Sequence, residues 1–294
     1  MSQNLPQHYV QQFATNIQLL LQQKGSRLKG TVMTGSHVGE QASPVDQIGK
    51  IEVQSPAGRF APIGRVDAPL DRRWVYPEDK DLPQLIDHFD KLRLLTDPQS
   101  SYVQNAIHAF GRHYDRQILA ALNGTAKTGK NGSTSVALPA AQKIAVNFGA
   151  ASDVGLTVKK LREAKKKLMA ADVDVESDPL YCIVNAAQHD SLLAEAQVVS
   201  TDFNDKPVLV EGKVVRFLGI NFIHTELVES ASGDNLIPVY AKSGIYLGMW
   251  SDMQTKISQR DDLSGQPWQA YLKMTSGATR LEEAKVVQIA CNVA

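Results

Sequence analysis

From Gly30 to Pro69 a helix breaker recurs at intervals of no more than seven residues: Gly30, Gly35, Gly39, Pro44, Gly49, Pro56, Gly58, Pro62, Gly64 and Pro69. No helix can run through that spacing, because each proline removes a backbone donor and each glycine adds conformational freedom that a helix must give up. Short strands fit between the breakers. The best are Ile48–Val53, Phe60–Val66 and Arg72–Tyr76, with Ser55-Pro56-Ala57-Gly58 as the turn joining the first two. The segment from Ser26 to Lys80 therefore reads as a long β-hairpin or two-stranded arm. A lone two-stranded ribbon is marginal in water, so it needs support from another element or another chain.

Helical periodicity flanks this arm on both sides. Before it, Phe13, Ile17, Leu20 and Leu21 recur at helical spacing and the pattern stops at Gly25, which predicts a short amphipathic helix. After it, Leu85, Ile86, Phe89 and Leu92 predict a helix over 82–92 with Pro83 in its first turn. A much longer helix is predicted from Pro98 to Leu122, capped by Thr96 or Asp97 and stopped by Asn123-Gly124. Val103, Ala106, Ile107, Phe110, Tyr114, Ile118, Leu119 and Leu122 form its apolar stripe, and Arg112, Asp115 and Arg116 fall across from it. At about 1.5 Å per residue it spans roughly 37 Å, the length of a subunit spine.

Gly124 to Ser135 is a Gly/Thr/Ser/Lys segment that reads as a mobile surface loop. Thr157 then caps a helix that turns Val158, Leu161, Ala164 and Leu168 inward and Lys159, Lys160, Arg162, Lys165, Lys166 and Lys167 outward. Pro179–Val184 is a strand followed by a helix capped at Asn185. From Val214 onward, strand patterns at 214–227, 236–250, 254–260, 268–275 and 285–293 are separated by Ser-Gly turns. The class is α+β, with a central α/β region and a β-rich end. No internal repeat is present.

Composition excludes several functions. The 31 basic side chains are balanced by 31 acidic ones, whereas a dedicated nucleic-acid-binding domain carries a strong basic excess. Two cysteines, Cys182 and Cys291, cannot build a disulfide framework or a four-ligand zinc site, and both read as buried thiols. Met1 to Gln12 has neither a basic nor an apolar leader region, and no apolar run approaches the roughly 18 residues of a membrane span. Synthesis in a reducing cytoplasm and no membrane partner are expected.

No catalytic, cofactor or metal site emerges, and no enzyme activity is expected. Gly124-Thr-Ala-Lys-Thr-Gly-Lys130 resembles a phosphate loop until Asn131 stands where a magnesium-binding Ser or Thr is required; it also follows a helix rather than a buried strand. A nucleotide-binding enzyme built on Gly124 to Lys130 is therefore the weakest reading. Asp172, Asp174, Glu176 and Asp178 alternate like a calcium loop but lack its glycine and its distant bidentate Glu, leaving a solvated acidic turn. His108 and His113 are five apart and fall on different helix faces, unlike the i, i+4 pair of a zinc helix.

What stands out is positive charge and aromatic surface on the arm. Arg59, Arg65, Arg72, Arg73 and Trp74, with Lys50 and Tyr76 nearby, are the residue types that anchor protein interfaces. They are the candidate intersubunit contacts.

The order of elements, and the segments Asp71-Arg-Arg-Trp-Val-Tyr-Pro77, Gly155-Leu-Thr-Val-Lys-Lys-Leu161 and Gly277 to Ile289, resemble the major capsid proteins of tailed double-stranded DNA bacteriophages, with the Hong Kong 97-type fold. The resemblance covers nearly the whole chain. It implies an N-terminal arm (1–28), an extended loop (29–80), a peripheral domain with the spine helix (81–150 and 250–294) and an axial domain (151–249). It also implies a homo-oligomer of hexamers and pentamers in an icosahedral shell, the extended loop of one copy lying over its neighbour. Scaffolding, portal and decoration proteins and non-specific contact with packaged DNA are its implied partners, and scaffolding would come from a separate protein or be absent. A cellular compartment shell of the encapsulin kind shares the fold and is the alternative; a tail or adaptor component is a further one.

Overall fold

The computed structural model describes residues 21–39, 42–55, 58, 64–86, 98–195, 198, 209–210, 212–231 and 233–292. The chain begins with β1 (Met33–Ser36), β2 (Ser43–Ile48), β3 (Leu70–Val75) and β4 (Glu78–Ile86), then the long helix α1 (Pro98–Asn123). Three short strands follow, β5 (Ala126–Thr128), β6 (Thr134–Val136) and β7 (Lys143–Ile144). Helix α2 (Val158–Ala170), β8 (Leu180–Val184) and α3 (Ala186–Leu193) come next. Then come β9 (Leu209–Val210), β10 (Lys213–Val214), β11 (Arg216–Phe217), β12 (Ile220–His224), β13 (Ser230–Ala231) and β14 (Asp234–Ala241). Two long strands, β15 (Ile245–Gln259) and β16 (Trp268–Arg280), precede the closing β17 (Val286–Asn292).

Among the described residues the strands pair in the orders β1-β15-β16-β4, β2-β3-β5-β6, β10-β9 and β11-β12-β8-β14-β17-β7, with β13 beside β14. By the density of internal contacts the chain forms two compact units. One comprises 1–26, 79–113 and 251–275, the other 27–78, 114–250 and 276–294, and α1, β15 and β16 contribute residues to both.

The larger unit is built on the mixed sheet around β8 and β14. Val239 stands opposite both Cys182 of β8 and Val287 of β17, so the centre of the sheet is apolar on adjoining strands. Leu161, Ala164 and Leu168 of α2 join Leu180, Cys182, Val184, Ile237 and Ile289 in one buried cluster. The caps lie where the sequence puts them. Thr157 accepts from the Lys160 N–H at 3.4 Å, and Asn185 Oδ1 accepts from the Gln188 N–H at 3.0 Å. Both cysteines are free and fully buried, and burial pushes the Cys291 thiol up to about 12.

Two charged residues expected outside are inside. Lys160 is fully buried, its ammonium donating to the carbonyls of Val154 and Ala290 at 2.8 Å each. It falls in line with Ala164 and Leu168, four and eight residues on, so helical spacing itself carries it inward. Asp115 of α1 is also fully buried and accepts from the backbone N–H groups of Arg27 and Leu28 at 3.0 Å each. One carboxylate thereby fastens the entering chain to the long helix.

In the smaller unit the segment 82–86 is strand, not helix. Leu82 and Gln84 are half-buried while Pro83 and Leu85 are exposed, a period of two. β4 is the edge strand of its sheet, the one place where Pro83 costs no ladder hydrogen bond. The rest of that expected helix, residues 13–20 of the one expected over 13–21, and the caps Thr96 and Asp97 lie outside the described residues. Gly111 sits mid-helix in α1, where glycine costs about 1 kcal/mol relative to alanine. A Cβ there would lie 2.4 Å from the carbonyl carbon of Gly25, so the glycine is what lets the chain cross the helix. Arg112 anchors the same crossing, donating to Gln22 Oε1 at 2.7 Å and the Gln23 carbonyl at 3.2 Å.

Candidate functional site

The arm is an antiparallel hairpin in which the expected strand at 72–76 appears as β3 and pairs with β2, five residues earlier than the expected 48–53; residues 60–63 of the other expected strand lie outside the described residues. Residues 51–55 and 64–69 have no regular structure. Asp46 stands directly opposite Arg72, and the guanidinium grips the carboxylate in a fork, Nε to Oδ1 at 2.5 Å and Nη2 to Oδ2 at 3.1 Å. The hydrogen bond from Arg72 holds the Asp46 carboxyl below the usual range. Arg72 also lies over the Trp74 ring, 5.8 Å from its centre. Two residues along, Ile48 faces Leu70; the pair is 77% and 78% exposed. Ile51 and Val53 are exposed beyond them. One apolar stripe of the hairpin thus meets water.

The opposite face of β3 is buried. Arg73 and Val75 point inward, and Arg73 Nη2 donates to Glu283 Oε2 at 2.8 Å, with Asp71 at 3.5 Å. Glu283 in turn lies 3.6 Å from Nε of the fully buried Arg280. The remaining nitrogens of Arg280 donate to the carbonyls of Leu122, Gly124 and Val136 at 3.1, 2.9 and 3.1 Å. A chain of charge therefore runs from the base of the arm to the C-terminal end of α1, whose last carbonyls need donors and favour a cation.

The glycine-rich segment 124–135 is not a free loop. Its ends form β5 and β6, and β5 pairs with β3, Arg73 opposite Thr128 and Trp74 opposite Lys127. Ala126 is buried, Thr128 Oγ1 donates to Asp71 Oδ1 at 2.7 Å, and Trp74 Nε1 donates to the Gly129 carbonyl at 2.7 Å. Gly132, at φ +67°, approaches so closely that a Cβ would lie 2.4 Å from the Tyr76 hydroxyl and 3.0 Å from the Trp74 ring. The phosphate-loop resemblance dissolves into a hairpin clamped on the arm.

Arg59 lies outside the described residues. Arg65 is exposed and pairs with Asp67 at 2.7 Å; Arg72 and Trp74 are half-buried and Arg73 is buried. Sequence reading missed Asp46, Glu283 and Arg280, none of which has a local signature. In the acidic run, Asp174 accepts from the N–H groups of Glu176 and Ser177, and Asp178 from that of Ser243, so these carboxylates build turns. Among the described residues no cluster of His, Cys, Asp and Glu is arranged to hold a metal ion, and no helix is long and apolar enough to cross a membrane.

The fold recurs in solved phage shells. The capsid structure of cyanophage P-SCSP1u superposes with a TM-score of 0.75 at 16% identity, covering 96% of this chain and 92% of that one. The capsid of Ralstonia phage GP4 gives 0.72 at 11% identity, covering 96% and 94%, and the cyanophage Pam1 capsid gives 0.71 at 11%, covering 96% of each. No curated protein matches the chain in sequence. The match to the phage capsid protein family runs over residues 5–293, and with the α+β Hong Kong 97-type capsid fold around it, the chain belongs to that family as a structural major capsid protein.

Proposed function

We propose that this chain assembles with copies of itself, as hexamers and pentamers, into the icosahedral shell of a phage head around double-stranded DNA, and that the β2–β3 arm lies across the neighbouring copy. The observation that carries the arm's role is its exposed apolar stripe, Ile48, Ile51, Val53 and Leu70, on a hairpin whose base is fixed by buried Arg73. Four exposed apolar side chains gathered at one end of the arm favour an interface there. Arg65, Arg72 and Trp74 would flank the contact, Arg59 would extend it, and Arg73 would act from beneath by setting the strand's position. The arm (1–28), extended loop (29–80), peripheral (81–150 and 250–294) and axial (151–249) regions are the corresponding division of labour. The role is structural rather than catalytic. Free, buried Cys182 and Cys291 suit synthesis in the reducing cytoplasm of a bacterial host.

Each contact need bury only modest area, because every subunit meets several neighbours and the closed shell sums them. The test must spare the arm's base. Removing all of 30–77 would delete buried Val32, Val75 and the Arg73 bridge, whereas Gly49 N–H already meets the Pro69 carbonyl at 2.7 Å and marks a natural place to cut. Replacing 50–68 by a short Gly-Ser turn should leave a folded, soluble chain that forms no particles under electron microscopy. Intact shells from that variant would refute the arm's role.

A further inference from the structure

Helix α2 carries a second surface that neither the core nor the arm uses. Arg162, Lys165, Lys166, Met169 and Ala170 follow one another at i, i+3, i+4, i+7 and i+8, one continuous helix face, and with Leu218 they line an open groove. The floor is apolar: Met169, 54% exposed, Ala170 and Leu218 line it. The rim is cationic. No acidic residue lines the groove; Lys166 reaches sideways to Glu163 at 3.5 Å and keeps 76% of its side chain exposed.

The groove's far wall is held at a backbone cost. Leu218 has φ +52° and Gly219 φ +81°, the two-residue turn that joins β11 to β12. Turns with positive φ at both positions favour Asn, Asp or Gly, and a branched apolar side chain is disfavoured there. Lys165 Nζ donates to the Leu218 carbonyl at 2.9 Å and fixes the turn against the helix. The wall is therefore built in rather than left by a passing loop.

We infer that this groove is the docking site of an acidic peptide segment with an apolar anchor, presented by a different protein chain: the anchor seats on Met169 and Leu218, and flanking carboxylates meet Arg162 and Lys166. An apolar floor inside a cationic rim fits that chemistry. A nucleic-acid backbone has phosphates for the rim and nothing for the floor. Two of the chain's own acidic runs do not match the groove. Val173 is buried within 172–178, and Glu78-Asp-Lys-Asp81 has no apolar residue.

The experiment uses the full-length soluble chain and fluorescence anisotropy with three labelled probes. These are a synthetic helix of Glu and Asp with Leu at i and i+4, a polyglutamate of equal charge, and a short duplex DNA. The amphipathic acidic peptide should bind at least about tenfold more tightly than the other two. Met169→Glu, and separately Arg162→Glu with Lys166→Glu, should abolish that binding with an unchanged melting curve, while Arg116→Glu, elsewhere on the surface, should leave it intact. Duplex DNA binding as tightly as the peptide would overturn the proposal, as would no peptide binding at all. Particle formation lost in the groove variants, with no peptide bound by the parent chain, would assign the face to a second copy and equally overturn it.

Discussion

The buried guanidinium of Arg280 donates to the carbonyl of Leu122 at 3.1 Å, so the end of the long helix is closed by a side chain 158 residues away. Removing the guanidinium strands the carbonyls of Leu122, Gly124 and Val136, while Glu283 keeps Arg73; buried acceptors left unsatisfied cost on the order of 1–3 kcal/mol. Arg280→Leu should lower stability by about that much. Denaturant unfolding followed by circular dichroism measures it; a loss of less than about 1 kcal/mol would show the network to be dispensable.

Asp115→Ala strips the acceptor from two backbone donors, the N–H groups of Arg27 and Leu28. Leaving such donors unsatisfied costs roughly 1–3 kcal/mol, and the loss is local. Limited trypsin digestion should cut after Arg27 faster in the variant than in the parent. Equal rates would contradict the fastening role.

Gly111→Ala sets two effects against each other. Helix propensity alone gains about 1 kcal/mol, but the new methyl group meets the backbone of Gly25 and Ser26 at 2.4–2.6 Å. Overpacking against backbone costs about 1–3 kcal/mol, so a net loss is expected. A raised melting temperature would mean that the crossing yields easily.

His189 and His224 stack edge to face, 4.6 Å apart. Burial lowers both pKa values; Lys213 adds to the effect at each, and His189 itself and Arg27 at His224, against opposing Asp190 and Glu226. His189 Nε2 accepts from the Val214 N–H at 3.1 Å, which requires the neutral ring. A folded pKa below the unfolded 6.5 means that the unfolded chain binds protons more readily. The pair's contribution is complete above that value and is lost as pH falls through the folded pKa. Melting temperature should therefore drop from pH 7 to pH 5, and His189→Gln with His224→Gln should flatten the drop. An unchanged slope would exclude the pair as its source.

How much of this was legible in the sequence depended on range. Helix α2 was readable because its cap, Thr157, and its inward spacing are local. The arm was readable as a hairpin from its breakers and the strand at 72–76 was legible, yet its partner lies five residues before the expected 48–53, since register comes from Asp46 meeting Arg72 and from the buried base at Val75. Buried Asp115, Lys160, Arg73 and Arg280 were misread or passed over for one reason. Each has a partner 87 to 210 residues away, and charge on a helix or arm reads as solvated until such a partner is known. Arg72 and Trp74 stood out by residue type; Asp46, an ordinary aspartate in a strand, did not.

The bridge from Arg73 to Glu283 spans 210 residues, and this has a meaning in time. At about 5–20 residues per second, a ribosome finishes Glu283 roughly 10–40 s after Arg73 has emerged. Until then the ribbon is rooted by the hairpin over 126–136, and a prematurely terminated polypeptide lacks the buried Glu283 anchor. The last stretch translated thus supplies the ionic lock beneath the ribbon, and only a finished polypeptide holds it.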